Sequence, residues 1–467
     1  LLENVSSLDD VLLQDCATLF SKVERSIFAS YQADKKDIKS SFLTKFGITA
    51  RHFNGCKAEV QGLIASNLSN LDNHVSELKI QIKTLEGTIA KIEAQDKRNA
   101  FKLHQKKRKL VNKKQKLVKL EADKKSGKAR VAFGSKKLFQ AQYNLKENDY
   151  ASKDDWDQDW FQARNKQFFL LGSKDESWGN QSCQLIEKED QKFDLFLRLP
   201  DALVDAKQPK ILHLKDISFS YGYEAISAAV SSNLERSETK DKIAKKELGQ
   251  ALSFRFYKEA VGRWKLFVMT DLQEPEWVSK KYLGRLGIDI NEDHLAVTEM
   301  DRFGNPIKVR SFPLVTYGKS SDQALALIGD AAKEIIEWAK KVQKPIVLEK
   351  LDFKDKKAQL EEASPKRARQ LSSFAYSAIR RIISSRAYRE GIEVDYVNPA
   401  FTSFIGRAKF QILYGLTSHQ SAALAIGRRS MGLSEKPLTS PSITLTEGTK
   451  IHGTLTLPVR KMSKHVW

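Results

Sequence analysis

The chain has 467 residues, 41% of them hydrophobic, and its 79 Lys and Arg against 58 Asp and Glu give a formal net charge of +21. These figures exclude a disordered tail and a single ordinary core, and they predict two or three folded domains. A charge of this size suits a phosphate-rich partner through counterion release, although anionic lipid or bare solubility would use it too. Cys16, Cys56 and Cys183 are scattered and form no CxxC pair, which excludes a disulfide scaffold and a zinc ribbon and suits a reducing compartment. No apolar run approaches the ~20 residues of a membrane span and no signal peptide is visible, so no membrane partner is expected. The sequence opens at Leu1 rather than Met, and trimming of either end is an expectation.

Residues 1 to about 70 read as mostly helical. From Leu71 onward, Leu71, Val75, Leu78, Ile82, Leu85, Ile89 and Ile92 alternate steps of four and three, the seam of a coiled-coil helix. The polar break "QDKRNA" separates it from a second periodic stretch with Leu103, Leu110, Leu117 and Leu120, so an antiparallel helical hairpin is predicted. Between Lys102 and Arg130 this second arm carries 13 Lys or Arg and two acids. A solvated helix face is one account of such a run. Like charges spaced i,i+4 repel unless something neutralises them, which favours a nucleic-acid backbone as the partner of Lys106, Lys107, Arg108, Lys109, Lys113, Lys114 and Lys116.

After about Gly127 the texture changes to short runs of β-branched and aromatic residues, "QFFLLGS", "FDLFLRLP", "ILHLKDISFSY", "ALSFRFYKEA" and "RWKLFVMTD". They predict the strands of an antiparallel β-domain. Phe254, Phe256, Tyr257 and Trp264 interleave with Arg255 and Arg263, an arrangement in which rings stack on bases and guanidinium groups take phosphates, with about half of these side chains left for the core.

From Leu286 an apolar strand reaches Asp289, and "HLAVTEM", the turn "DRFGNP" and "IKVRSFPL" complete a three-stranded meander. A helix over about 322–343 follows, with Ala324, Leu327, Ala331, Ile335 and Trp338 on one face. Next come the short strand "PIVLEKLDF" ending at Glu349, a helix through "RQLSSFAYSAIRRIISSRAYREG", a fifth strand in "IEVDYVNPAFTS", and a closing helix in "SHQSAALAIGRR". This order, β-β-β-α-β-α-β-α with one carboxylate on the first strand and another ending the fourth, is that of the RNase H-like nuclease fold. Phosphodiester hydrolysis by two divalent ions about 4 Å apart needs such a cluster of hard oxygen ligands, and Mg²⁺ suits them best. Asp293, four residues beyond Asp289, is expected to shape the turn instead.

"GIDINEDHLAV", "IVLEKLDF" and "VNPAFTS" resemble the three RuvC-type motif regions of the TnpB family of transposon-encoded RNA-guided nucleases, relatives of the type V CRISPR effectors. "FLLGSKDESWGNQSCQL" resembles a further segment found in some of them. The resemblance covers most of the chain and implies an α+β multidomain protein. Its expected parts are a helical recognition lobe with a coiled-coil hairpin over 1–127, a β-barrel wedge domain over 128–283, and an RNase H-like (RuvC) nuclease domain over 284–467. It further implies a guide RNA and a target double-stranded DNA as partners, and a prokaryotic cytoplasm with nucleoid association on DNA.

Two departures from the family stand out. "FIGRAKFQILYGLTS" fills, without a cysteine, the interval where the family commonly carries a zinc ribbon, so no structural zinc is expected. His419 stands where the family's closing D-x-N-A-A motif has its aspartate. A lone His before a small-residue helix is often a cap, yet neutral imidazole also replaces carboxylate on a divalent ion, with a drift toward Mn²⁺. The resemblance thus implies Asp289, Glu349 and His419 as catalytic metal ligands for two Mg²⁺ ions. Two further readings stay open: a guided DNA-binding protein that no longer cuts, acting as repressor or recruiter, and a DNA strand-transferring transposase. Arg367, Arg369, Arg380 and Arg381 are candidates for extra phosphate contacts or for plain helix solubility.

Overall fold

A computed structural model describes residues 1–35, 38–94, 100–204, 210–271, 274–350, 376–433, 435, 442–447 and 450–456. The chain is a mixture of helices and small sheets, and it divides into two compact units. One comprises Leu1–Leu78 with Arg108–Gln273, the other Lys79–Lys107 with Glu274–Trp467. Among the described residues no helix is long and apolar enough to cross a membrane.

The amino-terminal unit is built on α1 (Ser7–Gln32), α2 (Lys39–Phe46) and the base of α3 (Ala50–Glu93). Ser6 and Asp9 form a capping box that satisfies the first free amides of α1. The inner face of α1, with Leu13, Ala17, Phe20 and Val23, shares one continuous core with the strands that follow, so the expected helical lobe and the expected β-domain are packed together here. Cys16, Cys56 and Cys183 all lie in this core, where burial pushes their thiols far up. Asp10 of α1 accepts from Trp264 Nε1 at 2.8 Å and from Lys258 Nζ at 2.7 Å.

The coiled-coil seam is real. Leu71, Val75, Leu78, Ile82, Leu85, Ile89 and Ile92 are all buried on α3. The return helix α4 (Ala100–Ser126) runs antiparallel, with Lys107 paired to Glu93 at 2.7 Å near the turn and Lys124 paired to Asp72 at 2.6 Å at the other end. Residues 95–99 of the expected break lie outside the described residues. Two short helices, α5 (Lys136–Ala141) and α6 (Lys153–Arg164), lead into the sheets.

The β-rich segment differs from expectation. Its strands are β1 (Gln167–Leu170), β2 (Cys183–Glu187), β3 (Phe193–Arg198), β4 (Ile211–Ile217), β5 (Ser253–Lys258) and β6 (Trp264–Met269), with α7 (Tyr223–Glu238) and the one-turn α8 (Ala244–Glu247) before β5. They form two antiparallel three-stranded sheets, β1-β5-β6 and β2-β3-β4, and no barrel closes among the described residues. Asn180 supplies a physical reason. Its buried Nδ2 donates to Leu252 O at 2.9 Å, while its Oδ1 accepts from the amides of Ser182 and Cys183 at 2.8 and 3.0 Å. Backbone groups that a continuous ladder would have used are thereby satisfied by a side chain, and β2 starts a new sheet.

The second unit contains a five-stranded mixed sheet in the order β11-β10-β7-β8-β9. Strands β7 (Arg285–Ile290), β8 (His294–Met300) and β9 (Pro306–Pro313) are the predicted antiparallel meander. Strand β10 (Ile346–Glu349) pairs in parallel with both β7 and β11 (Val394–Val397). Helix α9 (Ser321–Val342), opened by a Ser320/Gln323 capping box, and α10 (Tyr376–Arg389) cover one face, against Leu286, Ile288, Ile346 and Leu348. The short α11 (Thr402–Ile405) runs into a π-helix, Gly406–Gln411, and α12 (Ser418–Ser430) covers the opposite face. A separate hairpin, β12 (Ser442–Glu447) and β13 (Lys450–Thr456), ends the described chain.

The contact of α12 with the sheet explains its small residues. A Cβ on Gly287 of β7 would come within 2.0 Å of Ala423 O, and one on Gly427 within 2.1 Å of Met300 Cε. Strand and helix backbones cross closely here, and at Gly287 the approach is to backbone, which a side chain could not displace.

Candidate functional site

Alternation fixes which way the acids face. Gly287 lies under α12, so Asp289, two residues on, points to the same face, while Leu286 and Ile288 enter the opposite core. On β10, Val347 packs with Ile426 of α12, so Glu349 shares that face too. The parallel register pairs Val347 with Gly287. Continued two residues further, it sets Glu349 beside Asp289 at the carboxyl ends of neighbouring parallel strands. Both acids are buried, at 7% and 8% exposure.

Helix α12 brings the third expected residue. Thr417 and Gln420 form a capping box in which Thr417 Oγ1 accepts from the Gln420 amide and Gln420 Oε1 from the Thr417 amide. Thr298 Oγ1 of β8 donates to Gln420 O at 2.9 Å and ties the first turn to the sheet. His419 lies inside that turn, and its Nδ1 hydrogen-bonds Asp289 Oδ2 at 3.1 Å. That hydrogen bond holds the imidazole above its ordinary pKa, against burial and against the nearby Arg407 cation. Asn291 Nδ2 donates to the same Asp289 oxygen at 3.0 Å. The His294 ring meets the His419 ring edge-on at 4.9 Å, and its Nδ1 bonds Asp293 Oδ1 at 2.6 Å, which keeps the Asp293 carboxyl low. Asp293 also accepts the Leu314 amide at 2.7 Å, and so occupies the turn position expected for it.

No family model matches this sequence, and no curated protein is similar to it. The site therefore rests on its own chemistry.

Glu349 is held by the segment after β11 and by the start of α10. Thr402 Oγ1 donates to Glu349 Oε1, and the Tyr376 hydroxyl to the Glu349 carbonyl. Arg429 of α12 donates to the carbonyls of Asn398 and Ala400, the latter at 2.8 Å, and Asn398 Oδ1 accepts the Ala400 amide at 2.9 Å. Burial draws the Arg429 guanidinium below its ordinary value, and the Glu349 charge opposes that shift.

Two adjacent buried carboxylates fit a hard divalent cation such as Mg²⁺. His419 fits less simply. Its Nδ1 is engaged with Asp289, which leaves Nε2 as the ring nitrogen for a ligand. Among the described residues no group of three or more His, Cys, Asp or Glu side chains gathers as a metal cage.

The expected nucleic-acid contacts separate into two kinds. Arg108, Lys114 and Lys116 are exposed on α4, and Lys107 is shared with Glu93. Lys106, Lys109 and Lys113 are half-buried on the same helix, and these three and Lys114 interact within the protein. Arg255 instead makes a two-pronged ion pair with Glu59 of α3, at 2.8 and 2.7 Å, and lies over the Phe169 ring. Arg263 pairs with Glu259 at 3.2 Å. Phe254, Phe256 and Trp264 are core residues. Arg380 of α10 lies over the Tyr396 ring of β11 and Arg381 of the same helix is exposed, whereas Arg367 and Arg369 lie outside the described residues.

Phe401 was not anticipated from sequence. Its backbone is left-handed, φ 64°, and the residue is 45% exposed. The π-helix was equally invisible, because nothing in "GRAKFQ" distinguishes it from an ordinary turn of helix.

Proposed function

We propose that this chain is an RNA-guided DNA endonuclease of the TnpB kind, with an RNase H-like nuclease domain in its second unit. One observation carries the reading: Asp289 and Glu349 share one face at the carboxyl ends of adjacent parallel strands in a sheet ordered β11-β10-β7-β8-β9. The motif resemblance and the basic arm supply the rest, a guide RNA and a DNA target read by pairing with it in a prokaryotic cytoplasm.

Asp289 and Glu349 would hold Mg²⁺, with Mn²⁺ as a substitute, and His419 would contribute Nε2. Divalent ions bound there supply electrostatic stabilisation of an in-line displacement at phosphorus. Asn291 and Thr402 orient the two carboxylates, each through a hydrogen bond to one oxygen. Arg407 and Arg429 add positive charge for a phosphodiester.

The His419–Asp289 pair favours a second reading, a guided DNA-binding protein that no longer cuts. A cationic imidazole on Asp289 competes with a metal ion for that carboxylate.

The decisive experiment is cleavage of a matched DNA target by the protein carrying its copurified, sequenced RNA, in Mg²⁺ and separately in Mn²⁺, beside Asp289→Ala. Cutting that disappears in the variant supports the endonuclease. Guide-dependent binding without cutting in either metal supports the second reading. A protein that purifies without RNA and binds no DNA overturns both.

A further inference from the structure

Asn398, Pro399, Ala400 and Phe401 link β11 to α11, and this link is pinned on three sides. Arg429 holds two of its carbonyls, the Asn398 side chain holds the Ala400 amide, and Thr402 at its end reaches Glu349. Within it Phe401 adopts φ 64°, ψ 11°. A bulky aromatic is a rare occupant of left-handed backbone, where Gly and Asn fit without strain. The conformation is maintained by its neighbours, not by Phe401 itself, a residue 45% exposed that contributes little to the core. The sequence thus keeps a strained, half-exposed phenyl ring one residue from the side chain that holds Glu349. Strain retained without a return in packing points to function.

Resting on the endonuclease reading, we infer that Phe401 is a stacking platform for an unpaired nucleobase of the DNA strand entering the Asp289 and Glu349 site. An aromatic face accepts any base, so the contact selects for single-stranded substrate without selecting its sequence. Base pairs of an intact duplex cover the faces that Phe401 would take. Its rigid link fixes the ring relative to Glu349, so a stacked base sets the position of the adjoining phosphate. Arg407, exposed on the π-helix, lies one residue beyond Gly406, where a Cβ would meet the Ala422 amide at 2.7 Å, so its backbone is likewise fixed against α12.

The test uses the full chain with its copurified RNA and single-stranded DNA oligonucleotides, each carrying one 2-aminopurine at a different position, without divalent ion so that nothing is cut. The wild type should quench fluorescence at one or two adjacent positions. Phe401→Ala should abolish that quenching and weaken binding roughly 5- to 100-fold, and Phe401→Trp should restore both. Phe401→Asn should melt no lower than the wild type, since Asn suits the backbone. Equal quenching and affinity in Phe401→Ala, or a clear fall in melting temperature in Phe401→Asn, would overturn this inference and leave the endonuclease reading standing. A wild type that binds no DNA would overturn both.

Discussion

His419 Nδ1 lies 3.1 Å from Asp289 Oδ2 across 130 residues of chain. In its cationic form an imidazole inside the first turn of a helix is electrostatically disfavoured by the helix dipole, and the carboxylate beneath it offsets that cost. Replacing His419 with Asp should reverse both effects. Two carboxylates then face each other, the metal-free protein loses about 1–2 kcal/mol, and Mg²⁺ raises the melting temperature of the variant more than that of the wild type. Thermal melts with and without Mg²⁺ measure this directly. An equal metal shift in the two proteins would mean that His419 and a cation do not compete for Asp289.

Glu349 gives a companion prediction. Thr402→Val keeps the volume and removes the hydroxyl that orients Glu349 Oε1. Cleavage, or Mg²⁺ affinity in binding assays, should fall about 10- to 100-fold, and Thr402→Ser should recover most of it. A valine variant as active as the wild type would show that the carboxylate is positioned without that bond.

Parts of this site were legible in the sequence. The apolar runs before Asp289 and before Glu349 each marked a short strand, and both strands are buried along nearly their whole length. The direct pairing of His419 with Asp289 was not legible, since it depends on the docking of α12 through Gly287 and Gly427. Arg255 shows the opposite failure. Its neighbours Phe254 and Phe256 turn inward, which leaves Arg255 on the other face, and only the fold brings Glu59, 196 residues away, within reach of it. Strand runs were likewise readable where their partners were not: the runs marked an antiparallel β-domain, while its division into two small sheets, in place of the barrel that the family resemblance implied, depends on pairing.

The Gly287 crossing should tolerate no side chain. Gly287→Ala would drive a methyl group to within 2.0 Å of Ala423 O, a backbone atom that cannot rotate away. Relief requires α12 to move away from β7, with a loss of about 1–3 kcal/mol or more and of the His419–Asp289 contact together. Denaturant unfolding of the variant checks the first, and loss of any cleavage activity the second. A variant of wild-type stability would contradict the packing described for α12.

His52 sets the acid limit of the amino-terminal unit. The ring is buried beside Phe20, its Nδ1 accepts the Thr49 amide at 3.4 Å, and its Nε2 has no hydrogen-bond partner. Burial, reinforced by Arg198, pushes its pKa from 6.5 to about 4. The unfolded chain therefore takes up a proton between those values that the folded chain refuses. Stability should be complete above pH 6.5 and fall as pH drops to 4, by about 3 kcal/mol in total. Denaturant titrations of the wild type and His52→Leu across this range should show a difference between them that changes with pH. A constant difference would remove His52 as the cause.

The basic arm separates two uses of charge. Lys107 is already shared with Glu93, while Arg108 is exposed beside it, and a run of like charge along one helix raises its own energy until counterions or phosphates neutralise it. If the arm grips RNA, replacing Lys106, Lys107, Arg108 and Lys109 with alanine removes up to four phosphate contacts, and the slope of log affinity against log salt should fall by about 2 to 3.5. The loss should be uniform across RNA sequences, because phosphate contacts position a nucleic acid without reading it. A salt titration of retained RNA distinguishes this from a solvated helix face, for which the same four substitutions leave both retention and slope unchanged.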